Sequence, residues 1–449
     1  MPSLHTPMKA QTGAKAVLAG VALAIVLATG ALGGATQDGG GAGLDEQLVA
    51  ALIDLARAYD EKKDPEAAHF FAACAIGLGS LDEYPKGLKK TWENEVYYGR
   101  SRGGKALVDT APIEKKLASF AKEYKSVVDS LVKSGKGISD DARAKLDRAV
   151  VRYELARGAH DYIQATQRFN ELRRQMKLRA ILWDFDMSSR FILAAWYMGE
   201  TGDYLRDAKS DETSVWYSAD VAFGKEEANK SPWGEYGLRD HADSLRPFAI
   251  LREDLLNPDA RQLALGRWQG GKAIKTMILY RIPRTEYRKD IATPTRRAAG
   301  QTVAEDRDLW KDVEETVKVG DKHVIVACYP YADEPDAPRV LGDGKRTELG
   351  WADPNVKDLN KCGTPIMLRL FIKGAPTDVQ AELRKIKGSS VGSRLYLNRD
   401  ERVDLDDEAT VVLLPEKPLE KGASYTVSMK FKLEGVPIEK NWIFTTREK

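Results

Sequence analysis

Asn170-Glu-Leu-Arg-Arg174 opens, and Leu255-Leu-Asn-Pro-Asp-Ala-Arg-Gln-Leu-Ala-Leu-Gly266 closes, the stretch whose reading decides the fold, Phe169 to Trp268. Between them Phe191, Leu193, Trp196 and Met198 recur at helical spacing and predict a helix over Met187 to Gly199. Tyr217 to Phe223 is short and apolar. Gln262 to Trp268 and Ile274 to Tyr280 read as two strands with Gly270-Gly271 as the turn between them. The stretch is therefore a mixed α/β module.

Upstream the pattern is helical. Leu48, Leu52, Leu55 and Tyr59 form one apolar stripe. Asp64-Pro65-Glu66 restarts a helix, with Asp64 as N-cap, Pro65 in the first turn and Glu66 favouring the helix dipole. Together they make one tetratricopeptide-type hairpin with no second copy at the same period. From about Pro112 to Lys177 a second helical region follows, broken at Ser134-Gly-Lys-Gly. Its charged faces are expected to be solvated surface.

Downstream, Arg281 to Lys318 is a charged connector, with a helix expected near Leu309. From His323 the chain turns to strands: His323 to Tyr329, Pro365 to Ile372, Arg394 to Leu397 and Thr410 to Leu414. Tyr425, Val427, Met429, Phe431 and Leu433 alternate with polar residues, and Asn441 to Thr446 follows the Gly435-Val-Pro437 turn. Short strands at this density predict a Greek-key sandwich of immunoglobulin type.

At 449 residues the chain is too long for one core. Its division is expected as 1–35 signal peptide or membrane anchor, 36–44 linker, 45–160 helical region, 161–283 α/β module, 284–320 connector and 321–449 β-sandwich. Lys9 and Lys15 precede an uncharged run from Ala16 to Ala35, with Gly33 and Ala35 offering small residues for cleavage. The run is also long enough for a retained anchor. Either way the protein is expected to be exported: periplasmic, extracellular or held at the membrane by this segment alone. A net charge of +2 gives no electrostatic case for nucleic acid.

The stretch resembles the CAP superfamily (the cysteine-rich secretory protein type), and the whole resembles secreted bacterial proteins that join such a domain to a C-terminal Ig-like one. Asn170-Glu-Leu-Arg173 matches the family's N-x-x-R-like opening, and Asp186-Met-Ser188 follows it. Leu255-Leu-Asn-Pro258 and Leu263-Ala-Leu-Gly266 match Leu-Leu-Asp-Pro and Val-Gly-x-Gly. Cys328-Tyr-Pro330, Asp353-Pro-Asn355, Gly363-Thr-Pro365 and Trp442-Ile-Phe-Thr445 match the C-terminal pattern. The resemblance implies an α+β multidomain chain: helical N-terminal region, α/β/α CAP-like sandwich, Ig-like β-sandwich.

Many members of that family hold a divalent metal with two histidines and two acidic groups. On the matched motifs, Ala208 and Leu251 stand where the histidines are expected, and Asp220 replaces the glutamate. Of five histidines, His5 lies in the signal, His69 and His160 on helices and His323 at the start of a strand; His241 alone falls inside the module. The CAP-like domain therefore reads as degenerate, with no cofactor, no metal and no catalytic residue. The expected function is non-catalytic: binding or scaffolding through an envelope or extracellular protein or glycan. Two alternatives stay open. A metal-dependent envelope hydrolase or peptidase would use a rearranged site of Asp220, His241 and Glu253. A lipid or small-ligand carrier would use the cleft aromatics Trp216, Tyr217 and Trp233. The chain has no P-loop, dinucleotide fingerprint or GxSxG elbow. Of the three cysteines, Cys328 and Cys362 both fall in the β region and can pair, whereas Cys74 sits on a helical apolar face as a small hydrophobe.

Overall fold

The computed structural model describes residues 42–83, 85–87, 96, 109–133, 139–202, 221, 233–234, 260, 262–281, 315–341, 361–398 and 408–448. The chain is an α+β protein of helices and mostly antiparallel sheets.

The helical hairpin consists of α1 (Ala42–Glu61) and α2 (Pro65–Gly77). Asp64 caps α2 by accepting from the Ala67 amide, and Pro65 stands at its start, where a missing N–H costs nothing. α3 (Ala111–Lys133) packs its Leu117, Phe120, Tyr124 and Val128 stripe onto α4 (Asp140–Gln175), which Ser139 caps. The sequence break at 134–138 lies outside the described residues.

α4 corrects one expectation. Its charged residues are not all on solvated faces: Arg152, Glu154 and Arg173 are buried. The helix is surrounded by neighbours along its middle, so polar side chains there must be satisfied inside the protein.

The α/β module begins where α4 ends. β1 (Leu182–Trp183) lies parallel to β3 (Gln262–Gln269), which pairs antiparallel with β4 (Thr276–Arg281). β2 (Trp233–Gly234) closes the order β1-β3-β4-β2. Gly270, at φ 85°, makes the β3–β4 turn. α5 (Phe185–Thr201) is capped by Asp184 and ends at Gly202 in the left-handed conformation that glycine adopts freely. The two-residue β1 has too little pattern to be read from sequence.

Two further sheets complete the chain. One has the order β10-β11-β8-β6-β5 and the other β7-β13-β12-β9. Their strands are β5 (Thr316–Val319), β6 (Lys322–Tyr329), β7 (Glu334–Ala337), β8 (Ile366–Lys373), β9 (Thr377–Lys385), β10 (Ser393–Leu397), β11 (Glu408–Pro415), β12 (Ser424–Leu433) and β13 (Val436–Thr446). Three of these depart from the sequence reading. β5 lies inside the span expected to be connector, whose predicted helix near Leu309 lies outside the described residues. β7 and β9 fell in stretches given no structure, because their mixed charged and small residues carry no apolar run.

The middle strands of the five-stranded sheet, β6, β8 and β11, are buried on both faces. Val326, Cys328, Leu368, Val411 and Leu413 point into the core shared with the second sheet. The alternate residues Ala327, Tyr329, Met367, Val412 and Leu414 belong to the same large cluster as the helices. This explains why β8 and β11 read as nearly continuous apolar runs, while β12, with one solvated face, alternates.

The cysteines follow these two cores. Cys328 packs in the core between the sheets and Cys362 in the larger cluster, and no disulfide joins them. Cys74 is buried in α2.

Candidate binding groove and the polar network behind it

α4 presents different side chains to its two sides. Tyr153, Ala156, Arg157 and His160 recur three and four residues apart and line a groove shared with α1, α2 and α3. The groove has a volume of about 530 Å³. Its inner wall is aromatic: Tyr59 stacks on Phe71 with ring centroids 5.5 Å apart. Ala118 and Ala121 of α3 face Ala156 and Ala159 of α4, and these small side chains leave the space between the helices open.

The rim is polar. The Tyr59 hydroxyl donates to Glu114 at 3.1 Å. Burial, and then the Glu114 carboxylate, push the Tyr59 phenol up to about 12. Lys125 pairs with Asp129 at 2.5 Å, and His160 meets Gln164 at 2.6 Å. Arg157 stands 5.1 Å from the Tyr153 ring centroid. Lys122 has no ion-pair partner among the described residues.

Behind the groove, Arg157 leads into a buried network. It donates to Glu154 at 2.7 Å, and Arg267 of β3 donates to the other Glu154 oxygen at 2.8 Å. Arg267 also reaches Asp161 at 2.6 Å, and its amide donates to the Tyr162 hydroxyl at 2.9 Å. Burial pushes the fully buried Glu154 carboxyl up, against the pull of the two guanidiniums. Burial opposes the charge of Arg267 too, but the Glu154 carboxylate holds it protonated. Two charge-assisted bonds on one carboxylate favour the ionised network. Gly158 makes room for it, since a side-chain carbon there would sit 2.5 Å from the Arg267 guanidinium.

The residues that carried the family resemblance bond to main chain. Asn170 donates to the Ile181 carbonyl at 3.0 Å and accepts from the Ile181 amide at 2.7 Å. Arg173 donates to the Arg179 carbonyl at 2.6 Å. The Ser188 hydroxyl accepts from the Leu265 amide at 3.0 Å. Gly266 lets β3 touch α5, because a Cβ there would lie 2.2 Å from the Phe191 carbonyl carbon.

The residues singled out as a rearranged metal site, Asp220, His241 and Glu253, lie outside the described residues. So do Ala208 and Leu251, and the cleft aromatics Trp216 and Tyr217. Trp233 is in β2, with its backbone paired to Leu279. Among the described residues no group of three or more His, Cys, Asp or Glu is placed to hold a metal ion. The groove and the Glu154–Arg267 network were missed by sequence reasoning. The available signal was Arg152 and Glu154 interrupting the apolar run from Ala149 to Ala156.

No protein-family model matches the chain, and no curated protein matches it. Among solved structures, CopC from Methylosinus trichosporium OB3b is similar at 16% identity and a TM-score of 0.17, over 30% of this chain and 93% of that one. A DUF4426 family protein from Pseudomonas aeruginosa PAO1 is similar at 12% identity and a TM-score of 0.19, over 30% of this chain and 96% of that one. Neither likeness is close enough to carry an argument.

Proposed function

We propose that the chain is a non-catalytic exported or cell-envelope protein that binds or scaffolds an envelope or extracellular protein or glycan. Its middle is a CAP-like domain kept as a scaffold, and its C-terminal part an Ig-like domain. The observation that carries this reading is the fate of the matched motifs. Asn170, Arg173, Ser188 and Gly266 hold α4, β1, α5 and β3 together, and the three polar side chains are fully buried. Side chains committed to main-chain bonds in the interior shape a scaffold and reach no substrate.

Strand order supports the Ig-like part. β6-β8-β11-β10 follows the A-B-E-D order of such sandwiches, and β13-β12-β9 follows G-F-C. β7 adds to β13 in parallel, as a split first strand does. The matched Tyr-Pro and Trp-x-Phe motifs also meet: the Trp442 indole donates to the Pro330 carbonyl at 2.8 Å.

Export rests on the N-terminal sequence. No helix among the described residues is long and apolar enough to cross a membrane.

The test is retention of the purified protein on isolated envelope material, with and without a divalent chelator, alongside assays for release of peptide or sugar products. The reading predicts retention that is indifferent to chelator, with no product. Chelator-sensitive turnover would instead establish the metal-dependent hydrolase.

A further inference from the structure

We draw no further inference here: the strongest candidate, the groove of about 530 Å³ between α1, α2, α3 and α4, has its rim cations Lys125 and Arg157 already paired with Asp129 and Glu154, and nothing in the structure shows what covers it.

Discussion

Asn170 shows how much one polar side chain decides. Its amide donates to the Ile181 carbonyl and accepts from the Ile181 amide, in a place water does not reach. Replacement by Ala leaves a buried N–H and C=O without partners, at about 1–3 kcal/mol each. Asn170→Ala is therefore expected to lose at least that much stability in denaturant titrations, with the loss local to the α4–β1 junction by hydrogen exchange. Glu154 is a stronger case. Glu154→Ala takes the buried carboxylate from Arg157 and Arg267, leaving Arg267 with Asp161, and a loss of about 3–5 kcal/mol is expected. Glu154→Leu combined with Arg267→Met removes the central pair and is expected to recover part of that loss by denaturant titration, since Arg157 and Asp161 each lose an ion pair. Tyr59 supplies a pH signature. Its pKa is raised from 10.0 to about 12, so its contribution to stability is present below pH 10 and lost as pH rises through about 12. Tyrosinate absorbance should place one phenol near that value. Glu114→Gln should bring it down only part of the way, since burial is the larger cause.

At the scale of elements, what was legible followed from local chemistry. The α2 start at Asp64-Pro65 was readable because cap and proline act within one turn. β12 was readable because one of its faces is wet. β9 was not: its sequence, Thr-Asp-Val-Gln-Ala-Glu-Leu-Arg-Lys, places a single fully buried side chain, Leu383, among exposed and half-exposed ones. It is an edge strand, and its conformation is set by pairing with β12 over a long sequence separation. The buried polar network was hidden for the same reason. Glu154 and Arg267 are far apart in the chain, and charge in a helix reads as surface until the partner is known. The α5–β3 contact is testable directly. Gly266→Ala forces a methyl into the Phe191 backbone, and a loss of about 1–3 kcal/mol is expected from thermal or denaturant melting. Gly435→Ala would not report on packing in this way, since nothing lies within 4 Å of a Cβ there.

At the scale of the molecule, the two faces of the five-stranded sheet belong to two cores, one between the sheets and one continuous with the helices. Residues 315–449 alone would expose Tyr329, Met367, Val412 and Leu414. That fragment is expected to aggregate, or to melt well below the whole chain, as gel filtration and calorimetry would register. The sequence divided the chain into helical, α/β and β regions from periodicity alone. It could not show that the helical and β regions share buried surface, because that surface is a property of the assembled layers.

We propose that the CAP-like outline serves as a scaffold without its metal chemistry. The most direct test is metal stoichiometry of the purified full chain after equilibration with zinc or calcium, repeated on a variant with Asp220, His241 and Glu253 replaced by Ala. No tightly held equivalent is expected in either protein, and stability should be unchanged on chelation. One equivalent held tightly by the parent and lost from the variant would contradict that proposal.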